Sequence, residues 1–401
     1  MALAALICAY HESDESALGL RATLPFAGRS LVERQARLAL AAGAERIVIL
    51  VEMLPPALAA AIDRLRTEGV GAIVARSVAE AAEAVQPGDQ LLLIADGLLA
   101  DESDLARLVR LGAPVLLTVP DAGDERFERI DAHSRWAGLA LLDGGLFRDT
   151  AAMLDEWDLQ STLLRRAVQG GARQVALPSA ATPPVLAREP ADLLDAEARM
   201  IAGAGGGSPG WASRYLLAPI ERALTNALMP TAIGPEWLNI AAATLTGLGG
   251  LFFIQGWLWP GALALLAATP LDGVADRLAR LRLQPGPRRA WTDLLLPGLG
   301  AAALLALGWA LATPHGWGTI VLSATAIAFM LALQGELRGE APEEPEIRFL
   351  AERKGMTWAM LPFALAGWWT EGLAGLACWA AGSFFWAQRR AHRPAEPAAQ
   401  D

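Results

Sequence analysis

From about residue 236 onward the chain is built of apolar segments of membrane length, at 236–256, 258–280, 291–313, 315–334, 356–370 and 371–388. Each approaches the ~20 residues that cross the hydrocarbon of a bilayer, the last two being short and closely spaced. Backbone polar groups in hydrocarbon must be satisfied within the segment, so these read as helices. Twelve of the 14 Trp lie from Trp211 onward. Trp237, Trp257, Trp259, Trp291, Trp317, Trp368, Trp369 and Trp386 fall at the predicted ends, as an aromatic belt does.

Charge sets the expected orientation. Arg277, Arg280, Arg282, Arg288 and Arg289 crowd the junction of the second and third segments. Arg338, Arg348, Arg353 and Lys354 lie between the fourth and fifth, and Arg389, Arg390 and Arg393 follow the sixth. The connections Gln255–Trp257, Thr313–Gly316 and Trp369–Glu371 hold no Lys or Arg. The positive-inside rule then predicts a multi-pass protein of the inner, cytoplasmic membrane, with both termini and the first half in the cytoplasm.

The first 200 residues have another character. Short apolar runs at 3–10, 46–52, 91–96, 114–119 and 137–143 alternate with segments of helical period at 29–43, 55–68, 77–85 and 102–111. This alternation predicts an α/β Rossmann-like domain, a mostly parallel sheet covered by helices, with ligands at the carboxyl ends of its strands. The expected organisation is an α/β domain over 1–200, a Gly-rich linker over 201–210, an amphipathic interfacial helix over 211–230, a six-helix membrane domain over 231–390 and a disordered tail over 391–401. In the interfacial helix Tyr215, Leu216, Leu217, Ile220, Leu224 and Leu228 form a broad apolar face, with Arg214, Glu221 and Arg222 elsewhere.

A net charge of −10 argues against a nucleic-acid partner, since no basic stripe is present to neutralise phosphates. Cys8 and Cys378 stand in opposite halves and four scattered His suggest no zinc site. The N-terminus has no basic region before its short apolar run and reads as a buried first strand.

Two resemblances add chemistry. Leu24–Arg34, Ala42–Leu50, Leu92–Asp96, Trp136–Ala140 and Glu189–Leu193 together resemble the sugar-phosphate nucleotidyltransferases, of GT-A-like fold. The resemblance implies that Asp96 holds a metal and that Arg21 serves as the basic substrate-binding residue. The family's Gly-rich phosphate loop is here Cys8–Ser16, with no Gly and with Glu12, Asp14 and Glu15. Carboxylates repel a triphosphate and side chains hinder close backbone approach, so a domain that does not activate nucleotides is expected.

The stretch Thr269-Pro-Leu-Asp-Gly-Val-Ala-Asp-Arg277 resembles the signature of the CDP-alcohol phosphotransferases, Asp-x-x-Asp-Gly-x-x-Ala-Arg followed by a Gly and two more Asp. Asp272, Gly273, Arg277 and Gly286 match it. Thr269, Asp276, Ala290 and Leu294 depart from it. The resemblance implies substrate contacts at Gly273, Arg277 and Gly286, and divalent Mg2+ or Mn2+ bridging a donor pyrophosphate. Asp272 and Asp276 share a helical face, and Asp293 is the candidate for a third oxygen and the catalytic role. The other reading pairs these Asp with Arg277, Arg280 or Arg289.

The order of the two halves is similar to the fusion of inositol-1-phosphate cytidylyltransferase with di-myo-inositol-phosphate phosphate synthase. That resemblance implies a transferase acting on a CDP-alcohol or phospho-polyol at the bilayer, with a homodimer formed through the membrane domain. An inactive scaffold or a membrane-anchored nucleotide or sugar-phosphate binding protein is the alternative.

Overall fold

The computed structural model describes residues 2–15, 19–121, 124–154, 158–177, 184–203, 210–229, 231, 233–283, 289–336 and 349–391. The side chains of 201–203, 289–294 and 391 lie outside this description, as do most of the Gly-rich linker, Gly286, Arg288, Arg338, Arg348 and the tail. The chain divides into two compact units, Met1–Met200 with Arg282–Pro285, and Ile201–Leu281 with Gly286–Asp401.

In the first unit the order is β1 (Leu3–Cys8), β2 (Pro25–Phe26), β3 (Arg29–Ser30), α1 (Leu31–Ala41), β4 (Arg46–Leu50), α2 (Pro56–Thr67), β5 (Ala72–Ala75), α3 (Val78–Ala84) and β6 (Gln90–Ile94). It continues through β7 (Leu98–Leu99), α4 (Glu102–Leu111), β8 (Val115–Pro120), β9 (Ser134–Asp143), α5 (Gly144–Ala151), α6 (Leu159–Gln169), β10 (Arg173–Ala176), β11 (Val185–Leu186) and α7 (Ala191–Gly203). Seven strands form one sheet in the order β10-β8-β9-β6-β1-β4-β5. All pairs are parallel except those of β9, which runs antiparallel between β6 and β8. This is the mixed, mostly parallel sheet with helices that the alternation predicts.

The central strands are buried because their runs are apolar throughout, as strands covered on both faces must be. Leu6, Ile7, Ile49, Leu91 and Trp136 are each under 2 % exposed. The Trp136 indole donates to the Leu139 carbonyl at 2.9 Å, so its burial leaves no orphan donor. The hairpin between β2 and β3 turns on Ala27 and Gly28, both at positive φ (53° and 74°), the geometry of a two-residue turn.

The second unit opens with a π-helical turn, Ala212–Leu217, that leads into α8 (Ala218–Leu228). Then follow α9 (Pro235–Ile254), α10 (Leu258–Leu281), α11 (Arg289–His315), α12 (Gly318–Glu336), α13 (Arg353–Leu365) and α14 (Trp369–Ala391). Among the described residues, four helices are long and apolar enough to cross a membrane: α9, α10, residues 295–315 of α11, and α12, with mean hydropathy between 1.3 and 1.9. The expected break at 370/371 falls earlier, where Gly367 at φ 78° ends α13 and Trp368 N–H closes back on the Phe363 carbonyl. On α8 and the turn before it, Tyr215, Leu216 and Ile220 are exposed, Leu224 and Leu228 are half-buried and Leu217 is fully buried, so the expected apolar face is divided between surface and core. Glu221 departs from the expected polar face and is fully buried.

Candidate functional site

In the second unit the site grows from one turn of α10. Asp272, Gly273 and Arg277 are brought together there by helical spacing, and each finds its partner on another helix. Asp272 Oδ2 is held by Arg353 Nη2 and lies 3.6 Å from Lys354 Nζ, both cations standing at the start of α13. Arg277 is 3 % exposed, and its Nε donates to Glu221 Oε2 at 3.1 Å. Lys354 Nζ also lies 3.8 Å from Glu221 Oε1, so it links the two carboxylates. A Cβ on Gly273 would overlap the Glu221 carboxylate. The room that this glycine leaves is therefore filled by a side chain of the same chain.

Position 269 carries no charge. Thr269 is 1 % exposed, accepts from the Trp358 indole at 3.0 Å and donates its own proton to the Leu266 carbonyl at 2.9 Å. Asp276 is half-buried and has interactions of its own. Gly286 and the Asp293 side chain are outside the described residues. Among the described residues, no three His, Cys, Asp or Glu side chains converge as metal ligands would. Asp272 is matched with side-chain cations, and a metal would have to displace Arg353 and Lys354 to reach it. For Asp272 the partners are Arg353 and Lys354 in place of the expected Arg277, Arg280 or Arg289.

Sequence reasoning missed three members of this cluster. Glu221 stands at helical spacing with Leu217, Leu224 and Leu228, so a stripe count would have put it on the buried side. Arg353 and Lys354 were read only as inner-face charges. Nothing local says that they fold back onto α10.

In the first unit Asp96 follows β6 at the carboxyl edge of the sheet and is 4 % exposed. Its Oδ2 accepts from the backbone N–H groups of Tyr10 (2.9 Å) and His11 (2.7 Å), and His11 Nδ1 lies 3.4 Å away. Two amides of the loop after β1, where a phosphate cradle would form, are thus already engaged. Its Oδ1 is buried without a hydrogen bond. Arg21 turns toward the same loop, donating through Nε to the Glu12 carbonyl at 3.0 Å and through Nη2 to Asp14 Oδ1 at 3.5 Å. Asp14 N–H and Ser13 Oγ both donate to the Arg188 carbonyl, tying the loop to the segment before α7. Burial pushes the Cys8 thiol up, which leaves it a poor nucleophile.

No protein-family model matches the chain. Among solved structures, it is similar to a phosphatidylinositol phosphate synthase of Mycobacterium tuberculosis with CDP-DAG bound, at 18% identity and TM-score 0.35, over 46% of this chain and 97% of that one. It is also similar to a nucleotidyl transferase from Methanothermobacter thermautotroptrophicus, at 18% identity and TM-score 0.36, over 50% and 99%. A curated relative, the Bifunctional IPC transferase and DIPP synthase of Rubrobacter xylanophilus, is 27% identical over 209 residues, 48% of each chain. The present chain therefore spans about half the length of that relative. The resemblance read from the sequence, to a fusion of two such activities, is the resemblance found: a chain with a mixed α/β sheet unit and a unit of apolar helices, similar to that bifunctional protein.

Proposed function

We propose that this chain is a membrane-bound, CDP-alcohol phosphotransferase-like protein of phospholipid or inositol-phosphate metabolism that serves as a scaffold or regulator and does not release CMP. One observation carries this reading: Asp272 is neutralised by Arg353 and Lys354. Transfer from a CDP donor needs divalent cations on clustered carboxylates, to offset charge on the leaving group. Here side-chain cations take that place, and Glu221 fills the approach over Gly273. The first unit supports the same view, because the loop amides at Tyr10 and His11 bind Asp96 in place of a phosphate. In this reading all six helices α9 to α14 cross the cytoplasmic membrane, both termini are cytoplasmic and the membrane half pairs as a homodimer.

A second reading is transfer of a phospho-alcohol from a CDP-linked donor, with Mg2+ or Mn2+ at Asp272 and Asp276 and with Asp293 as base. The matching Asp272, Gly273 and Arg277 favour it, as does the activity in the relative's name. The two part in a CMP-release assay on the full chain in lipid, with Mg2+ or Mn2+ and a panel of CDP-alcohols. The scaffold reading expects no release above an Asp272→Asn control. Release that disappears in that control would overturn it and establish the transferase.

A further inference from the structure

A cavity of about 830 Å³, its mouth included, runs among helices α9 to α14. Its two ends differ. At one end stand Arg353, Thr357 and Thr269, next to the Asp272–Arg353 pair. At the other stand Phe253, Ala364 and Trp369. The edge-to-face contact of Trp259 with Trp369, at 5.6 Å, brings the α9–α10 and α13–α14 turns to that same apolar end. Along α13 the lining extends from Arg353 to Ala364, eleven residue steps and ~16 Å of rise.

Arg353 is the one charged residue of the described lining, which holds no carboxylate and no side-chain amide. Its Nη2 is committed to Asp272, while its other N–H groups make no hydrogen bond among the described residues. A guanidinium carries five donors in a planar fork, so an anion can be bound without breaking that pair. A nucleotide base would find few polar partners in the lining, and a metal would find none of its usual ligands. An alkyl chain would find a slot lined by Leu, Met and Ala.

We infer that this cavity binds a single-chain lipid with an anionic head, its head on Arg353 and its tail toward Trp369. The inference deepens the scaffold reading by naming a ligand class. It rests on that reading only for the membrane setting, because neither CDP nor metal takes part in the binding.

The test is photo-crosslinking of the full chain in phosphatidylcholine nanodiscs with a palmitate carrying a diazirine at its terminal carbon. Crosslinks are expected on residues 360–376. Oleate or lysophosphatidate should compete at least about tenfold better than neutral monoolein. The stronger of the two anions identifies the head as carboxylate or phosphate, and either supports the site. Leu307→Trp, which fills the slot, should abolish the crosslink, with Ala301→Leu as a milder second variant. Arg353→Gln should erase the preference for anions and Arg353→Lys should keep it. Equal competition by monoolein, or crosslinks that persist when the slot is filled, would overturn the inference. Because no CMP is measured, this outcome is separate from the fate of the scaffold reading.

Discussion

Gly273 has no side chain in a place that Glu221 needs, and this fixes what a substitution there does. Gly273→Ala forces a methyl group into the Glu221 carboxylate and should cost about 1–3 kcal/mol, the usual range for overpacking. Glu221→Ala leaves Arg277 buried without its partner and should cost more, about 3–5 kcal/mol. The two changes must couple, since removing the carboxylate also removes the clash. Thermal midpoints of the single and double variants in detergent measure this, and strict additivity would show that the two residues do not share the space. A second expectation concerns metal. Millimolar Mg2+ or Mn2+ should leave the wild-type midpoint unchanged, whereas a ligand bound to the native state raises it. A metal-dependent rise, abolished in Asp272→Asn, would count against the ion-pair account. At this scale the sequence was legible where one helix carried the pattern, at Asp272, Gly273 and Arg277. It was not legible where partners came from α8 and α13, because charge pairing between helices leaves no spacing to read.

Among the elements, α1 shows how a charged group is held inside the α/β unit. Its cap is Ser30, and Glu33 reaches back to it: Oε2 accepts from Ser30 N–H at 2.9 Å and from Ser30 Oγ at 2.8 Å. Arg64 from α2 adds Nη2 at 2.8 Å and Nε at 3.1 Å, and Arg29 adds Nη1 at 3.2 Å. Burial pushes the Glu33 carboxyl up, but Arg64 and the Ser30 donors outweigh it and bring it down to about 2. A depressed carboxyl stabilises the fold above its unfolded value, near 4.5, and that contribution is lost as pH falls from there to about 2. The shift corresponds to a contribution on the order of 3 kcal/mol. Glu33→Gln should therefore lower the midpoint at pH 7 and lose most of its effect near pH 2. An equal penalty at both pH values would assign the effect to packing alone. The strands around α1 were legible because β1, β4, β6, β8 and β9 are continuous apolar runs. The edge strand β10 was not: its four residues include three exposed ones, and a short polar strand resembles a loop.

For the whole molecule the question is how many helices cross the bilayer. Among the described residues four meet the length and hydropathy of a span, while α13 has 13 residues, ~20 Å of rise against ~30 Å of hydrocarbon. The distribution of Lys and Arg nevertheless expects six, since Trp368 and its neighbours form an uncharged connection between the basic start of α13 and the basic end of α14. A short span can be accommodated by local thinning of the bilayer at modest cost. Single cysteines decide the matter in a background of Cys8→Ala and Cys378→Ala. Trp257→Cys, Trp317→Cys and Trp368→Cys replace exposed indoles in the three connections, and Arg222→Cys marks α8. A membrane-impermeant maleimide added to intact cells should label the first three, and Arg222→Cys only after permeabilisation. Labelling of positions 257 and 317 without 368 would leave α13 and α14 on the inner side and reduce the spans to four. Labelling of Arg222→Cys in intact cells would reverse the orientation. The positive-inside argument would then fail for the whole chain, because one bilayer crossing fixes the sense of all the others.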